Sequence, residues 1–319
     1  MKVLLTGAFG IVGREVLDYL IEKKYKVRIF EIQNKANLQK AVNYKEKVEI
    51  IWGDIRNKNQ VLNAVRGIDA IIHLAAIIPP LADLQPELAY DVNVMGTKNL
   101  LEVLSQIPLE SRPRLVYTSS ISIYGDRRKN PLIKRDDKPN PNQKDHYAHQ
   151  KLEAEGLIKQ SELEWVIFRL TYIVSPHKLE MNPIMFDIPL DTKLEICHAK
   201  DAAIALVNAI ENENIWGKIL HIAGGKNCRT DYKQYLKRMF DIFGIGFNGF
   251  PEGAFSRGNF HCGYMETDLS QKFLEYQNYS LEDYYKEVKD QIGYRYYFNR
   301  IFSSLAKYYL LKKSEYYGE

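Results

Sequence analysis

Short apolar runs alternate along the chain with longer segments in which apolar residues recur every three or four positions. The runs are typical of strands buried on both faces of a parallel sheet. They cover residues 2–6, 26–32, 48–52, 70–74, 114–118 and 165–170. The periodic segments predict helices over residues 11–24, from about 87 to 104, and one ending near 160. This alternation predicts an α/β fold of the Rossmann type, a doubly wound parallel sheet with helices on both faces.

The alternation of apolar runs and helical periodicity becomes less regular after Pro176, where Gly, Asn and aromatic residues become more frequent. We therefore expect a Rossmann domain over residues 1–171 and a smaller lobe over 172–319, with part of the sheet interleaved between the two. Residues 126–145 are polar and contain three prolines. Such a stretch predicts a surface loop rather than a linker.

Composition narrows the class of protein. Of the 319 residues, 45% are hydrophobic and 26% charged, which is typical of a soluble globular chain. The net charge of +4 comes from scattered residues, which argues against a nucleic-acid partner. Three cysteines without ligand spacing indicate thiols in a reducing compartment and no metal site. Because no apolar run approaches the roughly 18 residues of a membrane span, and none resembles a signal peptide, we expect a cytoplasmic protein.

A glycine turn follows the first predicted strand and opens the first predicted helix. Gly7 permits the tight turn, Gly10 lets the backbone approach a pyrophosphate, and Gly13 lets the helix pack close to the sheet. Phe9 and Ile11 complete the turn, and the helix N-terminus offers unpaired N–H groups to phosphates. The strand–turn–helix context favours a dinucleotide site over a tight turn without a ligand.

Acidic residues at the ends of the next two strands extend this site. Glu31, 18 positions beyond Gly13, would accept the hydroxyls of an adenosine ribose and repel a 2′-phosphate. NAD is therefore favoured over NADP, although Arg14 and Lys35 keep NADP as the second candidate. Asp54, followed by Ile55, would meet the adenine amino group, and a generic turn is the alternative for this pair.

Tyr147 and Lys151 lie four positions apart on a predicted helix, hence on one face. A nearby ammonium and a positive nicotinamide ring both favour the phenolate, so the pair suits proton transfer next to a nicotinamide. Ser120, just past the fifth strand, would hold the reacting oxygen against Tyr147. A surface pair among 22 tyrosines is the alternative, which the full set of motifs disfavours.

The chain resembles the extended short-chain dehydrogenases/reductases, the NAD-dependent epimerase/dehydratase group. The matching pieces, in the family's order, are the glycine turn, Asp54-Ile55, residues 73–76, 92–97 and 119–125, Tyr147-x-x-x-Lys151, and residues 198–201, 267–268 and 281–283. The resemblance implies bound NAD, with Leu74, Ala75 and Ala76 lining it and Asn93 holding a helix kink beside the site. It also implies a homodimer, and we add Ser122, Tyr172 and His198 as candidate substrate contacts.

The family's reactions differ, and departures from its patterns bear on the substrate. Dehydratases carry acidic residues where this chain has Ile121 and Ser122, so elimination of water is disfavoured. Sugar-nucleotide epimerases have an asparagine where Tyr172 stands and a phosphate-gripping arginine near Leu194, and residues 176–198 are short for their nucleotide clasp. We therefore favour a dehydrogenase or reductase acting on a small molecule. A nucleotide-sugar epimerase is the alternative, and a non-catalytic cofactor sensor is third.

The segment 294–317 has apolar residues at helical spacing surrounded by basic ones. This pattern predicts one amphipathic basic helix. Since amphipathic helices usually serve cores, we expect the apolar face to pack on its own lobe or on a second subunit rather than on a membrane surface.

Overall fold

The computed structural model describes residues 1–177, 179 and 182–318. Within them, seven parallel strands form the main sheet in the order β10-β7-β5-β4-β1-β2-β3. The strands are β1 Lys2–Thr6, β2 Lys26–Glu31, β3 Glu49–Trp52, β4 Ala70–His73, β5 Arg114–Ser120, β6 Leu132–Ile133, β7 Trp165–Leu170, β8 Tyr172–Val174, β9 Lys193–His198, β10 Lys218–Ile222, β11 Arg229–Asp231 and β12 Tyr264–Met265. Apolar clusters cover both faces of the sheet. The predicted doubly wound α/β fold is confirmed.

The helices are α1 Ile11–Glu22, α2 Lys35–Ala41, α3 Lys58–Val65, α4 Leu81–Leu84, α5 Pro86–Tyr90, α6 Gly96–Ser105, α7 His146–Gln160, α8 Ala199–Asn208, α9 Tyr232–Ile242, α10 Asp268–Leu274, α11 Leu281–Ile292, α12 Arg295–Ile301 and α13 Ser303–Leu311. Along the chain, α1 to α9 lie between strands, and α10 to α13 follow β12. The single helix predicted from about residue 87 to 104 is instead α5, a π-helical turn over Asp91–Met95, and α6. The periodicity did not predict α2 and α3, which are short.

The C-terminal lobe has its own apolar core, which includes side chains from α9 and α11. A small sheet, β11-β9-β8, lies beside it. The chain returns to the main sheet after residue 171, because β10 pairs with β7 and α8 packs on α1. Part of the sheet is thus built from the second segment, and the boundary at residue 171 stays a prediction.

The loop 126–145 is tied to the C-terminal lobe. Its short strand β6 pairs with β12, and Asp126 bridges to His261 and Cys262. At its end, Asp145 caps α7 by accepting from the Ala148 amide at 2.9 Å, and it contacts His261 Nδ1 at 2.8 Å. The loop therefore connects the second lobe to the start of the helix that carries Tyr147.

The C-terminal segment differs from the prediction in two ways. It forms two helices, α12 and α13, which meet at Phe302. Leu310 packs into the lobe as expected, but the rest of the predicted apolar face is exposed. The exposed members of that face are Phe298, Ile301, Phe302, Leu305 and Tyr309. The expected packing on the chain's own lobe is thus wrong for most of this face. None of the helices described here combines the length and apolarity that a membrane crossing requires.

Candidate active site

The glycine turn lies at the carboxyl end of β1, against the end of β4. Gly7 has a φ of +70°, and a Cβ there would lie 2.8 Å from the Ala75 nitrogen. A Cβ at Gly13 would lie 2.1 Å from the Gly7 carbonyl oxygen. Side chains at either position would therefore collide with backbone, and only glycine permits this close strand–helix packing.

The start of α1 is open to a ligand. Gly10 is its N-cap residue and supplies no side-chain cap, and the first turn contains no acidic residue. The helix therefore presents amide N–H groups and a partial positive charge beside the turn. Such an end suits the negative charge of a pyrophosphate.

Glu31 lies at the edge of this turn. The Phe9 amide donates to Glu31 Oε2 at 3.4 Å, and the Asn37 side chain donates to Oε1 at 3.4 Å. Burial raises the pKa of the Glu31 carboxyl, and the amide bonds and the Lys40 charge partly oppose this rise. Lys40 donates from Nζ to the Phe9 carbonyl at 2.8 Å, so a cation stands beside the carboxylate.

A buried hydrogen-bond network holds the loop after β4 against the turn. Thr6 Oγ1 accepts from the amides of Leu74 at 3.2 Å and Ala75 at 3.1 Å. His73 lies 2.7 Å from Thr6 Oγ1 and 3.2 Å from Thr97 Oγ1. Burial lowers the pKa of His73 to about 3, so its imidazole is neutral. The network leaves Leu74, Ala75 and Ala76 half-buried at the carboxyl end of β4.

Asp54 and Ile55 follow β3 and face different surroundings. The Asp54 carboxylate binds the Arg56 guanidinium and its amide, and this hydrogen bonding lowers the pKa of Asp54. Ile55 is buried against Gly96, where a Cβ would lie 2.6 Å from Ile55 Cγ2. An adenine contact by Asp54 would thus compete with its pairing to Arg56.

Asn93 lies in the π-helical turn and joins three elements. Its amide donates to the Ile77 carbonyl at 2.9 Å and to Gln150 Oε1 at 2.8 Å, while its oxygen accepts from the Ile77 amide at 2.8 Å. Gln150 precedes Lys151 on α7. The turn therefore connects the loop after β4 to the helix of Tyr147 and Lys151.

The Lys151 side chain points into the fold between α7 and β5. Its Nζ donates to the Thr118 carbonyl at 2.8 Å and lies 4.8 Å from the centre of the Tyr117 ring. Burial lowers the pKa of Lys151 to about 7. The same Nζ is 5.8 Å from the centre of the Tyr147 ring, so both members of the pair lie on one side of α7.

Tyr147 is half-buried and lies near Ser120 at the end of β5. Burial raises the pKa of Tyr147, and the nearby Asp145 charge adds to the rise, while the neighbouring Ser120 hydroxyl opposes it. The phenol is therefore protonated at neutral pH. The pKa decrease that we expected from Lys151 does not appear.

Two serines beside Ser120 differ from it. The Ser119 and Ser122 hydroxyls are buried and have no hydrogen-bond partner among the described residues. Ser120, by contrast, is partly exposed and accepts from the Ser122 amide at 3.1 Å. Ser120 is therefore the most exposed of these three serines.

The remaining candidate substrate contacts lie in the C-terminal half. Tyr172 begins β8, is 41% exposed and packs edge-on against Tyr235. His198 is buried, accepts from the Lys200 amide, contacts Glu287 at 2.9 Å and stacks on Tyr279. These His198 contacts hold α8 to the C-terminal lobe, and its role toward a substrate stays a prediction. No group of three or more potential metal ligands occurs among the residues described.

A model of the NAD dependent epimerase/dehydratase family matches residues 3–188, more than half of the chain. The chain belongs to this family. The resemblance noted in the sequence is thereby confirmed, and the matched region contains the glycine turn, Ser120, Tyr147 and Lys151.

Curated relatives match this chain in part. N-acetyl-alpha-D-glucosaminyl-diphospho-ditrans,octacis-undecaprenol 4-epimerase of Escherichia coli O157:H7 is 32% identical over 161 residues, 50% of this chain and 43% of the relative. 3-beta-hydroxysteroid dehydrogenase of Mycolicibacterium neoaurum is 35% identical over 127 residues, 38% of this chain and 32% of the relative. The chain spans less than half the length of these two relatives.

A solved structure extends the likeness of fold to nearly the whole chain. UDP-glucuronic acid 4-epimerase from Bacillus cereus, in complex with UDP-glucuronic acid and NAD, has a TM-score of 0.73 and 22% identity. The match covers 92% of this chain and 99% of that one. At this identity the match shows a shared fold.

Several residues of the site were not predicted from the sequence. Thr6, His73, Thr97, Tyr117 and Gln150 are buried polar or aromatic residues that position the predicted ones. Each lies within or beside a predicted strand or helix. A polar residue inside an apolar run was the available signal, and His73 in the run 70–74 is the clearest instance.

Proposed function

We propose that this chain is an NAD(H)-dependent oxidoreductase that transfers hydride at a carbinol or carbonyl carbon. One arrangement carries the proposal: Tyr147 lies near Ser120, and Lys151 Nζ is 5.8 Å from the centre of the Tyr147 ring on the same side of α7. A proton donor, an orienting hydroxyl and a cation thus converge where β5 ends, the edge at which doubly wound folds bind ligands.

The residues around the glycine turn fit NAD. Gly7, Phe9, Gly10 and Ile11 would hold the pyrophosphate, and Glu31 would accept the adenosine ribose hydroxyls. The Gly7–Ala75 and Gly13–Gly7 approaches leave no room for a side chain in this cradle. Leu74, Ala75, Ala76 and Asn93 would line the cofactor, with Asp54 and Ile55 at the adenine end. NADP is the less favoured cofactor because the Glu31 carboxylate would repel its 2′-phosphate.

The chain's own groups would do the proton chemistry. NAD(H), when bound, supplies or accepts the hydride. Ser120 would hold the substrate oxygen within reach of the Tyr147 hydroxyl, which gives it a proton during reduction and takes one during oxidation. Lys151 would stabilise the phenolate by its charge and donate to the nicotinamide ribose. Because burial raises the Tyr147 pKa, the phenol is protonated at neutral pH, which is the form that donates a proton during reduction.

A sugar epimerase is the second candidate, favoured by the names of the similar proteins. Both the Escherichia coli relative and the Bacillus cereus structure are 4-epimerases of diphosphate-linked sugars. Tyr147 would then oxidise a sugar hydroxyl, and the hydride would return to the other face of the ring. Tyr172 and Leu194 replace the family's nucleotide-gripping residues, which favours the dehydrogenase.

The substrate class that we propose is a small molecule with a large apolar part. The two curated relatives are named for a polyprenol-linked sugar and for a steroid. Ser122, Tyr172 and His198 remain candidate substrate contacts, of which Tyr172 is exposed beside another aromatic ring.

The first experiment is to denature the purified protein and to measure released cofactor by mass spectrometry and absorbance. We expect an empty site that binds added NADH reversibly, as a dehydrogenase with NAD as co-substrate requires. Stoichiometric NAD that survives purification would instead favour the epimerase. Failure to bind any nicotinamide cofactor would refute both candidates.

We also propose that the enzyme is a cytoplasmic homodimer. Cys197, Cys228 and Cys262 are buried thiols without a disulfide, which suits a reducing compartment. The dimer is supported by the family resemblance, in which helices flanking the sheet pair with a second copy. Light scattering after gel filtration would test it.

A further inference from the structure

The segment 294–317, here called the C-terminal segment, concentrates exposed apolar side chains. Among the described residues, 21 large hydrophobic side chains are strongly exposed, and nine of them lie in this segment. They are Tyr294, Tyr297, Phe298, Ile301, Phe302, Leu305, Tyr308, Tyr309 and Tyr317. Ile301 is 77% exposed and Phe298 63%. Scattered single residues of this kind are ordinary on a surface, but a contiguous group marks an interaction site.

The C-terminal segment is anchored along the side that faces the C-terminal lobe. Leu310 and Leu311 are buried in the core of the C-terminal lobe. The Asn299 side chain donates to the Phe243 carbonyl at 3.0 Å, Lys307 donates to the Asn248 carbonyl at 2.6 Å, and Ser314 donates to the Ala254 carbonyl at 2.7 Å. The aromatic face is therefore presented outward by an anchored element.

Charge selects the kind of partner. The C-terminal segment contains five basic residues and one acidic residue, Glu315. Arg295, Arg300, Lys312 and Lys313 are exposed, and Lys312 Nζ lies 4.6 Å from the centre of the exposed Tyr308 ring. Aromatic rings, aliphatic tips and cations on one exposed helical element fit the boundary between lipid headgroups and acyl chains.

We propose that the C-terminal segment binds the surface of an anionic lipid bilayer. Tyr297, Phe298, Ile301 and Leu305 enter the headgroup region, and the basic residues contact anionic headgroups. A second copy of the chain fits this face less well, because a two-fold contact would bring the two basic sets together. Nucleic acid fits less well too, because its charged backbone offers no apolar surface to the exposed aliphatic residues. The inference does not depend on which hydride-transfer reaction the site performs.

The test is sedimentation of the full chain with lipid vesicles. One set contains phosphatidylcholine alone, and the other mixes it with phosphatidylglycerol. We expect binding to the anionic vesicles, weakening as salt is added, and little binding to the neutral ones. The triple variant Phe298→Ser, Ile301→Ser, Leu305→Ser should reduce the partition coefficient about tenfold or more. Replacing Arg295, Arg300, Lys312 and Lys313 by glutamine should remove the preference for anionic lipid.

A matched control replaces exposed apolar residues elsewhere. Val42→Ser with Leu109→Ser changes side chains that are 62% and 66% exposed and should leave vesicle binding unchanged. Cofactor binding in all variants would report that the fold is intact. The proposal is overturned if the wild-type chain ignores anionic vesicles. It is also overturned if light scattering shows a dimer that the triple variant dissociates while vesicle binding is absent.

Discussion

The Nζ atom of Lys151 lies 2.8 Å from the carbonyl oxygen of Thr118, two residues before Ser120. The ammonium is thereby held under the candidate site, inside the fold, rather than at its surface. Burial lowers its pKa from 10.5 to about 7. Because a buried charge whose only hydrogen-bond partners among the described residues are the Thr118 carbonyl and the Tyr117 hydroxyl is expensive, the fold carries this cation at a cost in stability.

The first prediction concerns the pH dependence of that cost. Between about pH 7 and 10.5 the unfolded chain binds the Lys151 proton more strongly than the folded chain does. Raising the pH through this range therefore increases the free energy of unfolding. Relative to Lys151→Met, the wild-type free energy of unfolding should increase by about 1–3 kcal/mol from pH 7 to pH 9. Urea unfolding of both cofactor-free proteins measures this difference.

Comparing the two proteins cancels the titration of every other group, including the buried thiols. At pH 7 the methionine variant should be the more stable of the two while lacking turnover. Parallel stability curves for the two proteins would contradict the lowered pKa of Lys151.

The second prediction separates proton transfer from cofactor binding. Tyr147→Phe keeps the ring and removes the hydroxyl that we propose as the proton donor, so turnover should fall by about 10²–10⁴-fold. NADH binding, followed by its fluorescence, should stay within about twofold, because the ring's bulk is retained. Tyr90→Phe is the matched control, since it removes a tyrosine hydroxyl that binds Glu153 on the same helix α7 but on its exposed side. Retained activity in Tyr147→Phe would mean that another group supplies the proton.

The sheet and the site motifs could be predicted from the sequence because their signals are local. A short apolar run such as residues 2–6, ended at once by a glycine turn, predicts a buried strand, and Gly7, Gly10 and Gly13 are spaced by the turn itself. The polar network of Thr6, His73 and Thr97 could not be predicted, because its members come from β1, β4 and α6, which meet only in the folded chain.

The expected packing of the C-terminal segment was wrong for a related reason. Amphipathic periodicity marks an apolar face but does not say what covers it. Leu310 is buried and Leu305 exposed on the same helix, and only the position of the lobe around them decides which is which. The break at Phe302 likewise has no proline or glycine signal in the sequence.

The third prediction concerns the choice between NAD and NADP. Glu31→Ala removes the carboxylate that lies by the Phe9 amide and leaves the Lys40 cation there, so the preference for NAD over NADP should fall about tenfold or more. The ratio of kcat/KM for the two cofactors measures it. Glu49→Ala, at the opposite end of the neighbouring strand, should leave the ratio unchanged. An unaltered preference in Glu31→Ala would remove this residue from the ribose contact.

The fourth prediction tests the π-helical turn. Asn93→Ala removes the bonds to Ile77 and Gln150 and leaves buried backbone groups without partners, so the free energy of unfolding should drop by about 1–3 kcal/mol. Turnover should fall as well, because α7 loses its link to the loop after β4. Gln150→Ala keeps the Ile77 bonds and should cost less. The double variant should be less destabilised than the sum of the single ones, which would measure the Asn93–Gln150 coupling.

Ser119, Ser120 and Ser122 provide the last prediction, because three neighbouring hydroxyls have different surroundings. Ser119→Ala removes a buried hydroxyl that has no partner among the described residues, so stability should stay equal or rise slightly and activity should persist. Ser122→Ala should behave in the same way in the absence of substrate.

Ser120→Ala should instead reduce kcat by about 10²-fold or more, with cofactor affinity unchanged, because it removes the hydroxyl that orients the reacting oxygen. Steady-state kinetics and thermal unfolding of the three variants give both readouts on matched changes of one oxygen atom. A KM increase confined to Ser122→Ala would assign the buried Ser122 hydroxyl to the substrate. Equal activity loss in all three would mean that the segment is sensitive to packing and would withdraw the specific role of Ser120.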